Sequence, residues 1–125
     1  MIFIRGNVPS SKNSKQWTGR MLIKSKATRL YEAATELEWL ENKEIFQRML
    51  EGNQPPYKIG FYFVRGSKHK YDWVNPVQTI QDLMVRYEWL EDDNTSIMLP
   101  VPFKIKGNFD HYDKQNPGVY IKVLK

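Results

Sequence analysis

Residues 57–65 read YKIGFYFVR, a run of β-branched and aromatic residues that predicts a strand. The basic turn Gly66–Lys70 follows, and after it the pair Asn75-Pro76 predicts a helix with Asn75 as N-cap and Pro76 at the first helical position. Apolar residues then recur at three- and four-residue steps and predict one buried helix face: Val77, Ile80, Leu83, Met84 and Tyr87. This strand and this helix are the starting point for predicting the rest of the fold.

The amino-terminal part predicts another strand and another helix. Met1–Arg5 is apolar and β-prone, whereas Asn7–Gly19 has the composition of a long loop, and Arg20–Lys24 suits a short strand. Ser25 is a plausible N-cap for a helix that either continues or breaks near Asn42. Its predicted core face consists of five apolar residues: Leu30, Ala33, Ala34, Leu37 and Leu40.

The carboxyl-terminal part predicts two more strands. Ile97–Lys106 contains two prolines, which indicate an edge or bulged strand. Gly107–Pro117 is predicted as a loop and Gly118–Leu124 as a terminal strand. We therefore expect a single α+β domain over residues 1–125, with a mixed β-sheet and two principal helices.

Composition narrows the class of protein. With 125 residues and a hydrophobic fraction of 41%, the chain suffices for one core. The absence of cysteine excludes disulfides and thiolate zinc sites, and it fits a reducing compartment. No apolar run approaches the roughly 20 residues that span a bilayer, and the first residues do not resemble a signal peptide. We expect a soluble, cytoplasmic protein with no membrane partner.

Charge is distributed unevenly along the chain. The net charge is +5, and Met1–Tyr31 contains no acidic residue. A basic region beside a separate acidic one suits a nucleic-acid partner, although a solvated basic face is the alternative. The candidates for contacts to phosphate are seven residues: Lys12, Lys15, Arg20, Lys24, Lys26, Lys68 and Lys70.

The acidic residues of interest lie between positions 72 and 93. On the predicted helix, Asn75, Gln78, Asp82 and Arg86 share a polar stripe, so Asp82 should point away from the core. Carboxylates that converge from separate segments repel each other unless a cation holds them, and Mg²⁺ prefers such oxygen ligands. The alternatives are that Asp72 is a turn residue, that Asp82 is an exposed helix carboxylate and that residues 91–94 form a solvated turn.

The same stretch resembles the signature of the RusA-type Holliday junction resolvases. Asp72 matches the first aspartate of that signature, Asn75 its asparagine and Asp82 its helix aspartate, and Asp92-Asp93 match its final pair. The segment Gly6–Asn13 is similar to the opening that follows the family's first strand.

Two positions depart from the family pattern. Val74 stands where the family has its second aspartate, and Gln78 stands where it has a lysine. The first change removes a carboxylate that ligates or orients a metal, and the second removes a cation that holds the scissile phosphate. Each change is expected to reduce the cleavage rate by orders of magnitude.

The resemblance implies a Mg²⁺-dependent endonuclease, with Mn²⁺ as an alternative ion, that acts as a homodimer on four-way or otherwise branched DNA. It implies that Asp72, Asp82 and Asp93 ligate the metal, that Asp92 assists, and that Asn75 orients a ligand or caps the helix. It also suits a phage or prophage protein. Two rival functions remain: a junction-binding protein that has lost catalysis, and a phage accessory protein without nuclease activity.

Several further residues carry alternative interpretations. His69 is either a general acid or base or an exposed loop residue, and His111, between Asp110 and Asp113, suggests a metal cluster or a polar loop. Trp17 either stacks on a base or packs the basic loop onto the domain. The other tryptophans are expected in the core or in a dimer interface: Trp39, Trp73 and Trp89.

Overall fold

The computed structural model describes the backbone of residues 1–10, 15–17 and 22–125 and the side chains of residues 1–10 and 24–125. The elements in these ranges are β1 (Ile2–Arg5), β2 (Lys15–Trp17), β3 (Leu22–Lys24), α1 (Lys26–Leu50), β4 (Tyr57–Arg65), α2 (Val74–Arg86), β5 (Met98–Pro102), β6 (Asp110–Tyr112) and β7 (Gly118–Leu124).

The main sheet is built around β4. Strand β7 runs antiparallel to both β4 and β1, and lies between them. On the other edge of β4, β5 pairs in parallel with Tyr57–Phe61, and β6 pairs in parallel with Phe63–Arg65. The predicted α+β class, with a mixed sheet and two helices, is confirmed. Strands β2 and β3 form a separate antiparallel pair.

Both faces of β4 are buried, which explains its nearly continuous apolar sequence. Ile59, Phe61 and Phe63 contribute to the core shared with α1 and α2. Tyr62 and Val64 lie on the opposite face, in a smaller cluster with Phe103. The central strand is therefore held from both sides.

Helix α1 begins where predicted but buries a different face. The Ser25 hydroxyl accepts a hydrogen bond from the Thr28 N–H at 3.2 Å, and the helix continues without a break to Leu50. The predicted core face is wrong, because all five of its residues are exposed: Leu30, Ala33, Ala34, Leu37 and Leu40. The buried residues are instead Thr28, Tyr31, Thr35, Trp39 and Phe46, whose aromatic rings remove more apolar surface from water.

Helix α2 begins earlier than predicted. Its first residue is Val74, the N-cap position is Trp73, and the cap makes no side-chain hydrogen bond. Asn75 therefore lies in the first turn, where its N–H donates to the Asp72 carbonyl at 3.0 Å. The prediction of Asn75 as N-cap and Pro76 as first helical residue was wrong. Pro76 is tolerated because it still lies among the first four residues, whose N–H groups have no partner in the helix.

Two short strands lie in segments predicted as loops. Lys15–Trp17 forms β2 within the predicted loop at residues 7–19, and Asp110–Tyr112 forms β6 within the predicted loop at residues 107–117. Each has three residues, too few for a periodic pattern. Within the predicted strand at residues 97–106, only Met98–Pro102 is extended, at an edge as its prolines suggested.

Among the described residues, no helix is both long and apolar enough to cross a membrane.

Candidate functional site

Asp82 and Asp93 lie close enough to interact electrostatically, although they belong to different segments. Asp82 is exposed on α2, as predicted, and Asp93 is partly buried in the turn that follows. Burial raises the pKa of Asp93 above its usual value, and the negative charges of Asp92 and Asp82 raise it further. A carboxylate whose negative charge is disfavoured by burial and by neighbouring carboxylates is a place where a cation would be favoured.

Asp92 has a different environment and shapes the turn. Its Oδ1 accepts a hydrogen bond from the Asp93 N–H at 2.8 Å, and its Oδ2 accepts one from the Asn94 amide at 2.7 Å. The Asn94 hydrogen bond and the Asp93 N–H lower the pKa of Asp92. Both carboxylate oxygens of Asp92 are thus engaged by the turn, which holds Asp93 in position.

Asp72 lies at the other end of α2. Since the helix rises about 1.5 Å per residue, the eight steps from Val74 to Asp82 correspond to about 12 Å. Within the described part of the chain, no three His, Cys, Asp or Glu side chains come together as a metal-binding group. Helix α2 therefore separates Asp72 from Asp82, and Asp92 adjoins Asp93 in the turn that follows the helix.

Asp72 lines an open cleft that also contains cations. The cleft includes Arg65, Lys70, Tyr71 and Asn75 and has a volume of about 640 Å³. Arg65 is the last residue of β4, and Lys70 precedes Asp72 by two positions in the chain. A carboxylate beside two cations at the end of a central strand is suited to contact a phosphate-bearing ligand.

The Arg65 guanidinium is held in a defined position. It lies 3.7 Å from the centroid of the Tyr71 ring, and its Nη1 donates to the His69 carbonyl at 2.6 Å. Tyr71 in turn donates its hydroxyl to Asp110 Oδ2 at 2.8 Å, and burial together with this hydrogen bond raises the pKa of Tyr71. Sequence analysis missed Arg65; its one local signal was its position between the best strand and a basic turn.

The predicted phosphate contacts are not equally available. Lys24 Nζ lies 2.9 Å from the Glu32 carboxylate, which Arg86 also contacts, at 2.5 Å. Burial alone would raise the pKa of Glu32, but the hydrogen bonds from Lys24 and Arg86 outweigh it and lower that pKa. Lys24 therefore links β3 to α1, and it is a weaker candidate for contact with DNA.

The other predicted basic residues occupy several places. Lys26 is exposed at the first turn of α1, Lys68 lies 5.0 Å from the centroid of the Tyr112 ring, and Lys70 lines the Asp72 cleft. Lys12 and Arg20 lie outside the described residues, as do the side chains of Lys15 and Trp17. Among the described residues, the basic surface that follows β4 thus includes Arg65, Lys68 and Lys70.

The two departures from the resolvase pattern both lie on the surface of α2. Val74 is 56% exposed in the first helical turn. Gln78 donates its amide to Asp82 Oδ1 at 3.2 Å, so it does share a stripe with that residue. An amide that hydrogen-bonds to Asp82 stands where the family has a lysine.

The histidines and the remaining tryptophans have structural contacts. His111 Nδ1 and the Tyr62 hydroxyl share a hydrogen bond of 2.8 Å, whereas Asp113 accepts the backbone N–H groups of Gln115 and Asn116. His111 therefore lies in β6 with a tyrosine as its partner, and no metal-binding group includes it among the described residues. Trp39 and Trp89 are fully buried in the core, and Trp73 is partly buried against it.

Comparison with family models and with curated proteins finds no relative of this chain. No protein-family model matches the chain. No curated protein is similar enough to it to count as a match.

Proposed function

We propose that this chain is a Mg²⁺-dependent endonuclease of the RusA-like type, which acts on branched DNA as a homodimer. The observation that supports it most directly is the partly buried position of Asp93 in the turn after α2, where burial and the charges of Asp92 and Asp82 raise its pKa. The spacing of Asp72, Asn75, Asp82 and Asp92-Asp93 supports the same family.

The chemistry of the donor set fits Mg²⁺ in part. This ion is commonly bound through one or two carboxylates, with water and substrate phosphates completing its coordination, and Asp82 and Asp93 supply such a pair. When bound, the ion would supply charge stabilisation at the scissile phosphate and lower the pKa of an attacking water. Mn²⁺ is the alternative ion, since it binds sites of this type more tightly.

The residues of the chain then have distinct roles. Asp82 and Asp93 would hold the cation, and the hydrogen-bonded turn around Asp92 would fix the position of Asp93. Arg65 and Lys70, in the cleft with Asp72, would contact the DNA backbone away from the proposed cation. Asn75 lines the same cleft, so its proposed role is contact with the bound strand and not the capping of α2.

The first experiment measures cation binding and cleavage separately. Mn²⁺ should broaden the backbone NMR signals around Asp82 and Asp93 of the full chain, and Asp82→Asn and Asp93→Asn should each weaken this effect. The same variants should lose cleavage of a four-way junction and still bind it. Asp72→Asn tests the cleft independently, because that residue lies apart from the pair. Undiminished Mn²⁺ broadening and cleavage in both Asp82→Asn and Asp93→Asn would refute the metal assignment.

A second candidate function is binding of branched DNA without cleavage. It is favoured by the Gln78 amide at Asp82 and by the exposed Val74, which leave one carboxylate and one lysine of the family pattern missing. Junction binding that falls steeply with salt, together with no cleavage at any Mg²⁺ or Mn²⁺ concentration, would establish it. In that case Arg65→Ala and Lys70→Ala should reduce the salt dependence, each by about 0.9 in the log–log slope.

A further inference from the structure

Helix α1 carries an apolar surface on the side opposite its buried face. Leu30, Leu37 and Leu40 are 59%, 70% and 53% exposed, and Ala33 between them is exposed as well. Single exposed apolar residues are common on soluble domains, but a continuous row along one helix marks a contact surface. The partner of this row has to be identified from the residues around it.

The row continues at both ends as a regular pattern. Positions 26, 30, 33, 37, 40 and 44 follow each other by alternating steps of four and three, the spacing of a coiled-coil contact line. Lys26 occupies the first of these positions and Glu44 the last, and both are exposed. We refer to these six residues as the α1 seam: Lys26, Leu30, Ala33, Leu37, Leu40 and Glu44.

The α1 seam is complementary to itself when reversed. A second α1 that runs antiparallel, with a two-fold axis close to position 35, places Lys26 opposite Glu44 and Leu30 opposite Leu40. The same register places Ala33 opposite Leu37, so a small residue faces a large one. A two-fold axis is the symmetry expected of a homodimer interface.

We infer that the α1 seam is the surface through which two copies of this chain associate, as an antiparallel pair of α1 helices. The parallel arrangement is disfavoured because Lys26 would face Lys26 and Glu44 would face Glu44. An anionic membrane surface is a poor partner because Glu41 and Glu44 lie at one end of the row. A second copy matches both the apolar centre and the charged ends.

The inference rests on the homodimer of the proposed function and specifies the surface that forms it. It also assigns Lys26 to the subunit contact instead of to DNA. One helix pair buries less than the roughly 800 Å² per partner of a standard interface, so dissociation in the micromolar range is expected. The metal-binding pair Asp82 and Asp93 is not involved, so cleavage and association can be tested separately.

The first test measures oligomeric state by sedimentation velocity over a range of concentrations. Leu37→Glu places a charge at the centre of the seam and should raise the dimer dissociation constant by about tenfold or more. Ile45→Glu is the matched control, because Ile45 is 48% exposed on the same helix but lies off the seam. The two variants should have similar melting temperatures. Equal dimerisation of both would exclude the seam while leaving a homodimer possible through another surface.

The second test uses charge reversal within one chain. Lys26→Glu and Glu44→Lys should each weaken the dimer, because each places like charges opposite one another across the axis. The double variant restores opposite charges and should return the dissociation constant to near the wild-type value. Glu44 also pairs with Arg48 at 2.9 Å within the helix, so Arg48→Ala controls for the loss of that contact. A double variant as weak as either single one would refute the antiparallel register, and a wild-type monomer at all concentrations would refute the homodimer itself.

Discussion

The Gln78 amide donates a hydrogen bond to the Asp82 carboxylate, one turn further along α2, at 3.2 Å. The amide therefore occupies the side of Asp82 where a lysine would add positive charge. Because the charge of Asp82 also raises the pKa of Asp93, this contact connects the departure at position 78 to the carboxylate pair.

The exposed positions 74 and 78 allow the missing groups to be restored. Val74→Asp with Gln78→Lys should leave the melting temperature almost unchanged, because both side chains are exposed. If the site cleaves DNA, the double variant should cut a four-way junction about tenfold or more faster at low Mg²⁺ in single-turnover assays. A folded double variant that binds junctions and gains nothing would favour the non-cleaving function.

Asp93 and Asp92 should respond to pH in opposite directions. The raised pKa of Asp93 means that the folded state holds its proton more tightly, so this residue's contribution to stability falls as pH rises above the unfolded value near 3.9. Asp93→Asn should thus raise the melting temperature at pH 7, and the gain should vanish below about pH 3.5. Asp92, whose pKa is lowered by Asn94, should show the reverse: Asp92→Asn lowers stability at pH 7 and has less effect in acid.

Glu32 links α1 to β3 through Lys24 and to α2 through Arg86. Its lowered pKa means that the stabilisation is present above the unfolded value near 4.3 and is lost as pH falls through the folded one. Lys24 and Arg86 are 42% and 43% exposed, so solvent screens the pairs. We expect Glu32→Gln to cost about 1 kcal/mol in urea unfolding at pH 7 and little at pH 3. Glu44→Gln, which breaks one exposed pair within α1, should cost about 0.3–0.5 kcal/mol.

Thr35 supports the core through its hydroxyl. It donates to the Tyr31 carbonyl at 2.8 Å and accepts the Trp39 indole N–H at 2.9 Å, and all three residues are buried. Thr35→Val keeps the side-chain shape but leaves the indole N–H without that partner, which should cost about 1–3 kcal/mol. Thr95→Val, in an exposed turn, should stay within about 0.5 kcal/mol. Equal melting temperatures for the two variants would contradict the role of this hydroxyl.

The accuracy of the sequence predictions depended on how many residues carried each signal. Two elements repeat a pattern over many residues and were predicted correctly. They are the nine-residue strand β4 and the apolar helix face from Val77 to Met84. The core face of α1 was not, since leucines at helical spacing also suit a surface that a partner covers. Thr35 and Trp39 did not produce an apolar pattern, because threonine is polar. Thr35 is buried because its hydroxyl accepts the hydrogen bond from the Trp39 indole.

The candidate site was predicted less completely, for a related reason. Spacing along one helix was enough to place Gln78 next to Asp82. Which residues come close to Asp82 depends on the path of the turn after α2, which no local pattern specifies. The Tyr71–Asp110 contact that supports Arg65 joins residues 39 positions apart in the sequence, and Asp110 belongs to a strand of only three residues.

The position of β7 between β1 and β4 has a consequence for how the chain folds. Ile2 is the register partner of Ile121, and β4 pairs with the same late strand along seven residues. The edge of β4 that pairs with β7 therefore has no partner until residues near Leu124 have left the ribosome. The apolar residues of β4 remain unpaired on that edge during synthesis. Such long-range pairing slows folding, and it exposes the nascent chain to aggregation and to chaperones.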